Sequence, residues 1–142
     1  MGYRGFEAAG VAPLFPFGHG LSYGTIEWGT AKPSATEAAA GDSITVQVPV
    51  HNTGDRAGTV VVQGYVAAID PPVVRPPKEL KTFAKAHLNA STATVLELTF
   101  GPHAFRRWDD KADQWTIDPG RYELVVAASA TDERQRIAVV IT

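Results

Sequence analysis

From Ser43 onward the chain alternates, with Ile44, Val46, Val48 and Val50 on one side and Thr45, Gln47, Pro49 and His51 on the other. A period of two sends one set into a core and the other toward solvent, so this run is expected to be a half-buried strand. Pro49 has no N–H to give, and the side of the strand it faces should therefore be an edge or a bulge. Asn52-Thr53-Gly54-Asp55 supplies turn residues. Thr59 to Ile69 then resumes with Val60, Val61, Val62 and Val66 around Tyr65, and the two runs are expected to pair as a hairpin across the Asn-Thr-Gly-Asp-Arg-Ala-Gly loop. Asp70-Pro71-Pro72 and Arg75-Pro76-Pro77 frame a stretch that proline keeps out of both helix and central strand, which reads as a stiff exposed loop.

Two more strands follow, Leu80 to Leu88 and Thr94 to Phe100. The second turns Leu96, Leu98 and Phe100 inward, and Asn89-Ala90-Ser91-Thr92 makes the turn between the two. The runs Gln114–Ile117, Tyr122-Leu124-Val126-Ala128 and Ile137-Val139-Ile141 complete a set of about seven strands. No amphipathic helix of three turns is present, and the Ala-rich stretch at 35–40 is short and ends at Gly41-Asp42. Strands without crossover helices imply an all-β, antiparallel sandwich of the immunoglobulin or fibronectin type III kind. Tyr122, just after the Pro119-Gly120 corner, is placed to bond back to backbone as a tyrosine corner does.

Residues 1–20 follow neither period and read as an irregular N-terminal extension, leaving 21–142 as the sandwich. Phe6, Leu14, Phe15, Phe17 and Leu21 make that extension too apolar for a free tail. It must cover this domain's flank or meet a neighbour, and it also offers a surface for self-association, although nothing fixes an oligomeric state.

Charge excludes more than it assigns. Thirteen Lys and Arg against fifteen Asp and Glu, mixed along the chain, give a net −2 and no basic surface for nucleic acid. No apolar run approaches the ~20 residues that span a bilayer, so no membrane partner is expected, and the compartment stays open. Without cysteine there is no disulfide, thiolate ligand or thiol nucleophile. His19, His51, His87 and His103 lie far apart, without metal-ligand spacing, and no cofactor motif is found. No serine sits in a nucleophile elbow. Asp109, Asp110 and Asp113 beside Trp108 and Trp115 lack the spacing of a calcium loop and read as a solvated hairpin tip. The two tryptophans are expected to fill the core or an interdomain seam. The alternative is that they stand exposed together and stack on sugar, as in a carbohydrate-binding module.

The string Pro13-Leu14-Phe15-Pro16-Phe17-Gly18-His19-Gly20-Leu21-Ser22-Tyr23 closely resembles the segment leading into the C-terminal fibronectin type III-like domain of glycoside hydrolase family 3, the β-glucosidase and β-xylosidase family. Val50 to Gly58, Val62 to Val66, Arg75 to Phe83 and Trp115 to Tyr122 resemble the same domain in order, and Gly2-Tyr3-Arg4 resembles the end of the α/β sandwich domain before it. In that family the catalytic carboxylates lie upstream, in a barrel and the α/β sandwich. The resemblance therefore implies an accessory, non-catalytic domain, with no catalytic residue here and the barrel and α/β sandwich as partners. It further implies that Phe6, Leu14, Phe15, Phe17, Tyr23 and Arg75 pack between domains, and that the 70–77 loop stands near the active-site entrance. Hydrolysis of a glycoside needs two carboxylates across the scissile bond, and no pair in this chain is recognisable in that role.

Overall fold

The alternating runs form strands, and the computed structural model, which describes residues 2–142, arranges them in two facing sheets and a small ribbon. In chain order the elements are helix α1 (Gly2–Ala8) and strands β1 (Ile26–Trp28), β2 (Lys32–Pro33), β3 (Glu37–Ala38), β4 (Ile44–Asn52), β5 (Gly58–Ala68), β6 (Glu79–Leu88), β7 (Ala93–Phe100), β8 (Arg107–Asp109), β9 (Gln114–Thr116), β10 (Gly120–Ala127) and β11 (Glu133–Ile141). In the first sheet β4 pairs with β7 on one side and with β1 and β2 on the other. The second sheet runs β3-β11-β10-β5-β6, and β8 with β9 makes the ribbon. Every pairing is antiparallel except the two-residue contact of β3 with β11, which is parallel and departs from the expected all-antiparallel sandwich.

Between the sheets lie Ile44, Val46, Val48, Val50, Leu98 and Phe100 from one side, and Val60, Val62, Val66, Leu124, Val126 and Val139 from the other. Pro49 meets its expected edge. Its carbonyl accepts from Gly29 N at 2.9 Å, so its nitrogen faces the same flank, where the partner strand is broken between β1 and β2. Tyr122 is a tyrosine corner, its hydroxyl donating to the Asp118 carbonyl at 2.6 Å.

Two expectations are corrected. The runs that become β4 and β5 do not pair as a hairpin; the chain arches from one sheet to the other between them. Turn residues alone do not distinguish the two outcomes, but a buried amide does. The Asn52 side chain is fully buried, donates to the carbonyls of Arg56 (2.7 Å), Leu88 (3.3 Å) and Asn89 (3.1 Å), and accepts from Gly54 N (3.1 Å), so it ties two arches together. Second, the extension read as irregular begins with α1. Two glycines and only seven residues hid its period, but its end is a Schellman motif: Gly10 (φ +64°) donates to Glu7 O and Val11 N to Phe6 O. So short a helix depends on what it packs against.

Among the described residues no helix is long and apolar enough to cross a membrane. Gly64 marks the tightest place in the core. A Cβ there would lie 2.6 Å from Thr82 Cγ2 and 2.8 Å from Phe100 Cζ. Gly64→Ala is expected to destabilise the domain by about 1–3 kcal/mol, read from urea unfolding, because the new methyl group would press on the fully buried Phe100 ring as well as on Thr82.

Candidate functional site

The second sheet is apolar on both faces along β5 and β10. Val62 and Leu124 point into the sandwich, while Tyr65, Val125 and Ala127 point out and are still buried, together with Ala130. What covers them is the N-terminal extension. Tyr3 of α1 meets Tyr65 edge to face at 5.6 Å between ring centres, and its hydroxyl accepts from Leu80 N at 2.7 Å. Farther along, Phe17 O accepts from Ala130 N at 2.8 Å, and Gly18 (φ +86°) lies so close to the sheet that a Cβ would sit 2.2 Å from Gln63 Nε2. Glycine is required there both by its φ and by that approach.

Ion pairs clasp the extension in place. The Lys78 ammonium is buried; it donates to Glu133 Oε1 at 2.6 Å and the Ala130 carbonyl at 2.7 Å, pairs with Glu7 Oε1 at 2.7 Å, and lies 5.3 Å from the centre of the Tyr65 ring. Glu79 collects three cations: Arg4 and Arg75 at 3.0 Å and Lys81 at 3.5 Å. Burial alone would raise the carboxyls of Glu79 and Glu133. The Arg75, Lys81 and Arg4 charges at the first, and Arg136 and Lys78 at the second, outweigh that and hold both below the usual glutamate value. Burial raises the Tyr65 phenol and lowers the Lys81 ammonium.

Held this way, the extension leaves an open apolar groove of about 1330 Å³ between itself and the 74–80 segment, walled by Tyr3, Phe6, Phe15, Phe17, Val74 and Pro76. Phe15 is 70% exposed and Val74 fully so. The sequence candidates divide accordingly. Phe6, Phe15, Phe17 and Arg75 line this groove, whereas Tyr23 stands fully in solvent over a separate hollow beside Gly58 and His87, and Leu14 is exposed outside both. Arg75 is no surface arginine. Its guanidinium is buried, donating to the carbonyls of Phe105 (3.3 Å) and Arg106 (3.4 Å) and to Glu79. Lys78 and Glu7 were not foreseen as partners; the only sequence signal was a lysine between Pro77 and a strand.

Trp108 and Trp115 face each other across the ribbon, their rings 5.6 Å apart at 76°. They do not fill the core, one of the two places expected for them, because Phe105 and Tyr122 occupy that end of it, packed edge to face at 5.3 Å, which leaves the interdomain seam as the other expected place. The indoles are 44% and 61% exposed. The ribbon's base is fixed by a two-pronged pair of Arg107 with Asp118 (2.6 and 2.9 Å), and its tip by Asp109 Oδ1, which accepts from Lys111 N (3.0 Å) and Ala112 N (3.3 Å). Those amides, Ala112's first, and Arg107 hold the Asp109 carboxyl below its usual value. All four histidines are exposed, and among the described residues no three His, Asp or Glu side chains gather as metal ligands would.

Comparison with known proteins decides the family. Residues 60–130 match the model of the fibronectin type III-like domain. The chain belongs to that family. This fibronectin type III-like domain is 43% identical over 139 residues to a β-glucosidase of Rhizobium radiobacter and 40% identical over 134 residues to one of Bacteroides ovatus, covering 98% and 94% of the chain but only 17% and 18% of those proteins. Among solved structures it superposes on the family 3 β-glucosidase of Bifidobacterium adolescentis with a TM-score of 0.92 (31% identity, 99% of this chain, 20% of that one). On DesR, a β-glucosidase of Streptomyces venezuelae, the score is 0.88 (33% identity, 99% of this chain, 18% of that one). What the chain matches is thus one domain of these enzymes, and some four fifths of their length has no counterpart in it.

The clasp makes the domain acid-sensitive. A carboxyl whose pKa is lowered by folding contributes stability above its unfolded value and loses it as pH falls through the folded value. Melting temperature is therefore expected to drop once pH passes below 4.5, the ordinary glutamate value, and to drop less steeply in a Glu79→Gln/Glu133→Gln double variant. Lys78→Ala, which leaves two carboxylates facing a buried site, is expected to cost about 3–5 kcal/mol in chemical denaturation.

Proposed function

We propose that this domain is a non-catalytic packing module of a family 3 β-glucosidase-type enzyme, and that the groove along the N-terminal extension is where the catalytic domains seat. The groove itself carries the reading: Phe15 and Val74 are exposed on one continuous apolar wall, while the back of the same segment is fixed to the sandwich by buried ion pairs. An isolated fold has no reason to hold an apolar surface so firmly toward water, whereas a domain that meets a neighbour does. The chain's matching of 17–18% of its β-glucosidase relatives supplies the neighbour. Arg4, the partly exposed member of the cation group around Glu79, stands at the groove's rim, so the seated surface should be apolar with an acidic group at its edge.

Val74 is also the most exposed point of the proline-framed loop, and Arg75 anchors that loop from within. In the assembled enzyme this is the part of the domain we assign to the active-site entrance.

Phe15→Asp and Val74→Asp separate this reading from a merely local role. In the 142-residue chain both side chains are exposed, so the melting temperature should stay put. In the whole enzyme each substitution removes burial worth about 1.5–3 kcal/mol and should lower the thermal midpoint measured by calorimetry. An unchanged midpoint in the whole enzyme would remove the packing role. If Val74→Asp left both kcat and KM of the enzyme unaltered, the loop's place at the entrance would fall.

A further inference from the structure

We infer that the β8–β9 ribbon is a glycan-contact site, with Trp108 and Trp115 receiving a pyranose ring of a gluco-oligosaccharide. The two indoles pack edge to face at 76°, 5.6 Å between centres, and both remain open to solvent, so ring surface is left uncovered on each. A pyranose whose hydroxyls are all equatorial carries its axial C–H bonds on its two faces. Such a face is apolar and slightly positive, which suits the negative face of an indole. The hydroxyls project from the ring's rim and need polar partners beside the aromatic surface, not beneath it.

The ribbon has that arrangement. Asp110, Lys111 and Asp113 are exposed in the turn that joins the two indole-bearing strands. This also separates the ribbon from the groove, whose lining is mainly apolar, with Arg4 and Arg75 its charged members. A surface of two aromatic rings in a polar frame matches a sugar better than a protein face. With more acids than bases at the tip, the ligand is neutral and not anionic.

The ribbon is also preformed. The Arg107–Asp118 pair holds its base, and the Asp109 carboxylate, already bonded to two amides, holds its turn. Binding then orders little that is not ordered already, and this allows a small contact to be measurable. The site makes no use of the packing groove, so it stands or falls independently of the function proposed above.

The test uses the 142-residue chain labelled with 15N. The indole N–H signals of its three tryptophans are followed during separate titrations with cellotetraose and laminaritetraose, with sorbitol as a polyol that cannot stack. Saturable shifts of the Trp108 and Trp115 signals with at least one glucan, while Trp28 stays still, are the expected result. Trp115→Ala should weaken binding about tenfold or abolish it, with Trp115→Phe intermediate, as removal of a stacking face requires. The melting temperature of both variants should stay near that of the parent chain, since the ribbon lies outside the core. No shift with either glucan, equal shifts with sorbitol, or undiminished binding by Trp115→Ala would overturn the inference. The first of these outcomes would leave the ribbon as a contact for protein.

Discussion

Two strands in the middle of the larger sheet are apolar on both faces, and most of the molecule follows from covering the second face. A sandwich normally buries one side of each sheet and wets the other. Here Tyr65, Val125 and Ala127 would meet water if the chain began at the first strand. The N-terminal extension resolves this by lying across them, and it brings polar atoms in with it. Most of those find a partner: Tyr3 takes the Leu80 amide, and Glu7 Oε1 takes Lys78, which is shared with Glu133 of the last strand, while Glu7 Oε2 is buried without one. Buried ion pairs contribute little net stability over an apolar contact of the same shape, but they are unforgiving about position. The clasp therefore does less to glue the extension down than to fix where it sits.

That fixed position is what gives the groove its shape. One side of the extension is used up against the sheet, so Phe6 and Phe15 can only face outward. Gly18 enforces the same geometry from the far end, because the backbone approaches Gln63 too closely for any side chain. The exposed apolar wall is in this sense a by-product of strand composition: two-faced strands demand a cover, and a cover of this length has an outside.

The period-two runs made the long strands and their inward residues legible, because alternation reports burial directly. Partnership between strands was another matter. Val50 to Thr59 reads equally well as a hairpin or as an arch, since the same turn residues serve both; the strand pairing shows which one formed, and the three carbonyls gathered around Asn52 hold it. The double burial of β5 was written in the sequence, as a run from Val60 to Ala67 that stops alternating, and such a run signals a strand covered on both sides. Helix α1 was hidden by its brevity, as its stability lies in Tyr3 and Glu7 and not in its own propensity. Of the two places expected for the tryptophans, the core is excluded for a simple reason. Large aromatics usually sit inside, and composition could not show that Phe105 and Tyr122 already filled the space.

Arg75 joins the two exposed surfaces, and its chemistry explains why an arginine stands there. It is held by carbonyls at Phe105 and Arg106, directly before the ribbon begins at Arg107, and by Glu79 beneath the groove. Three acceptors spread over one planar group suit a guanidinium, whose donors point outward in a fixed fork; a lysine ammonium gathers its acceptors around a single atom, as Lys78 does. The guanidinium thus links the loop that carries Val74 to the residues that lead into the tryptophan ribbon. The resemblance implies a place for Arg75 between domains, and its contacts show what it does within the chain: it ties the groove lining to the backbone that leads into the ribbon.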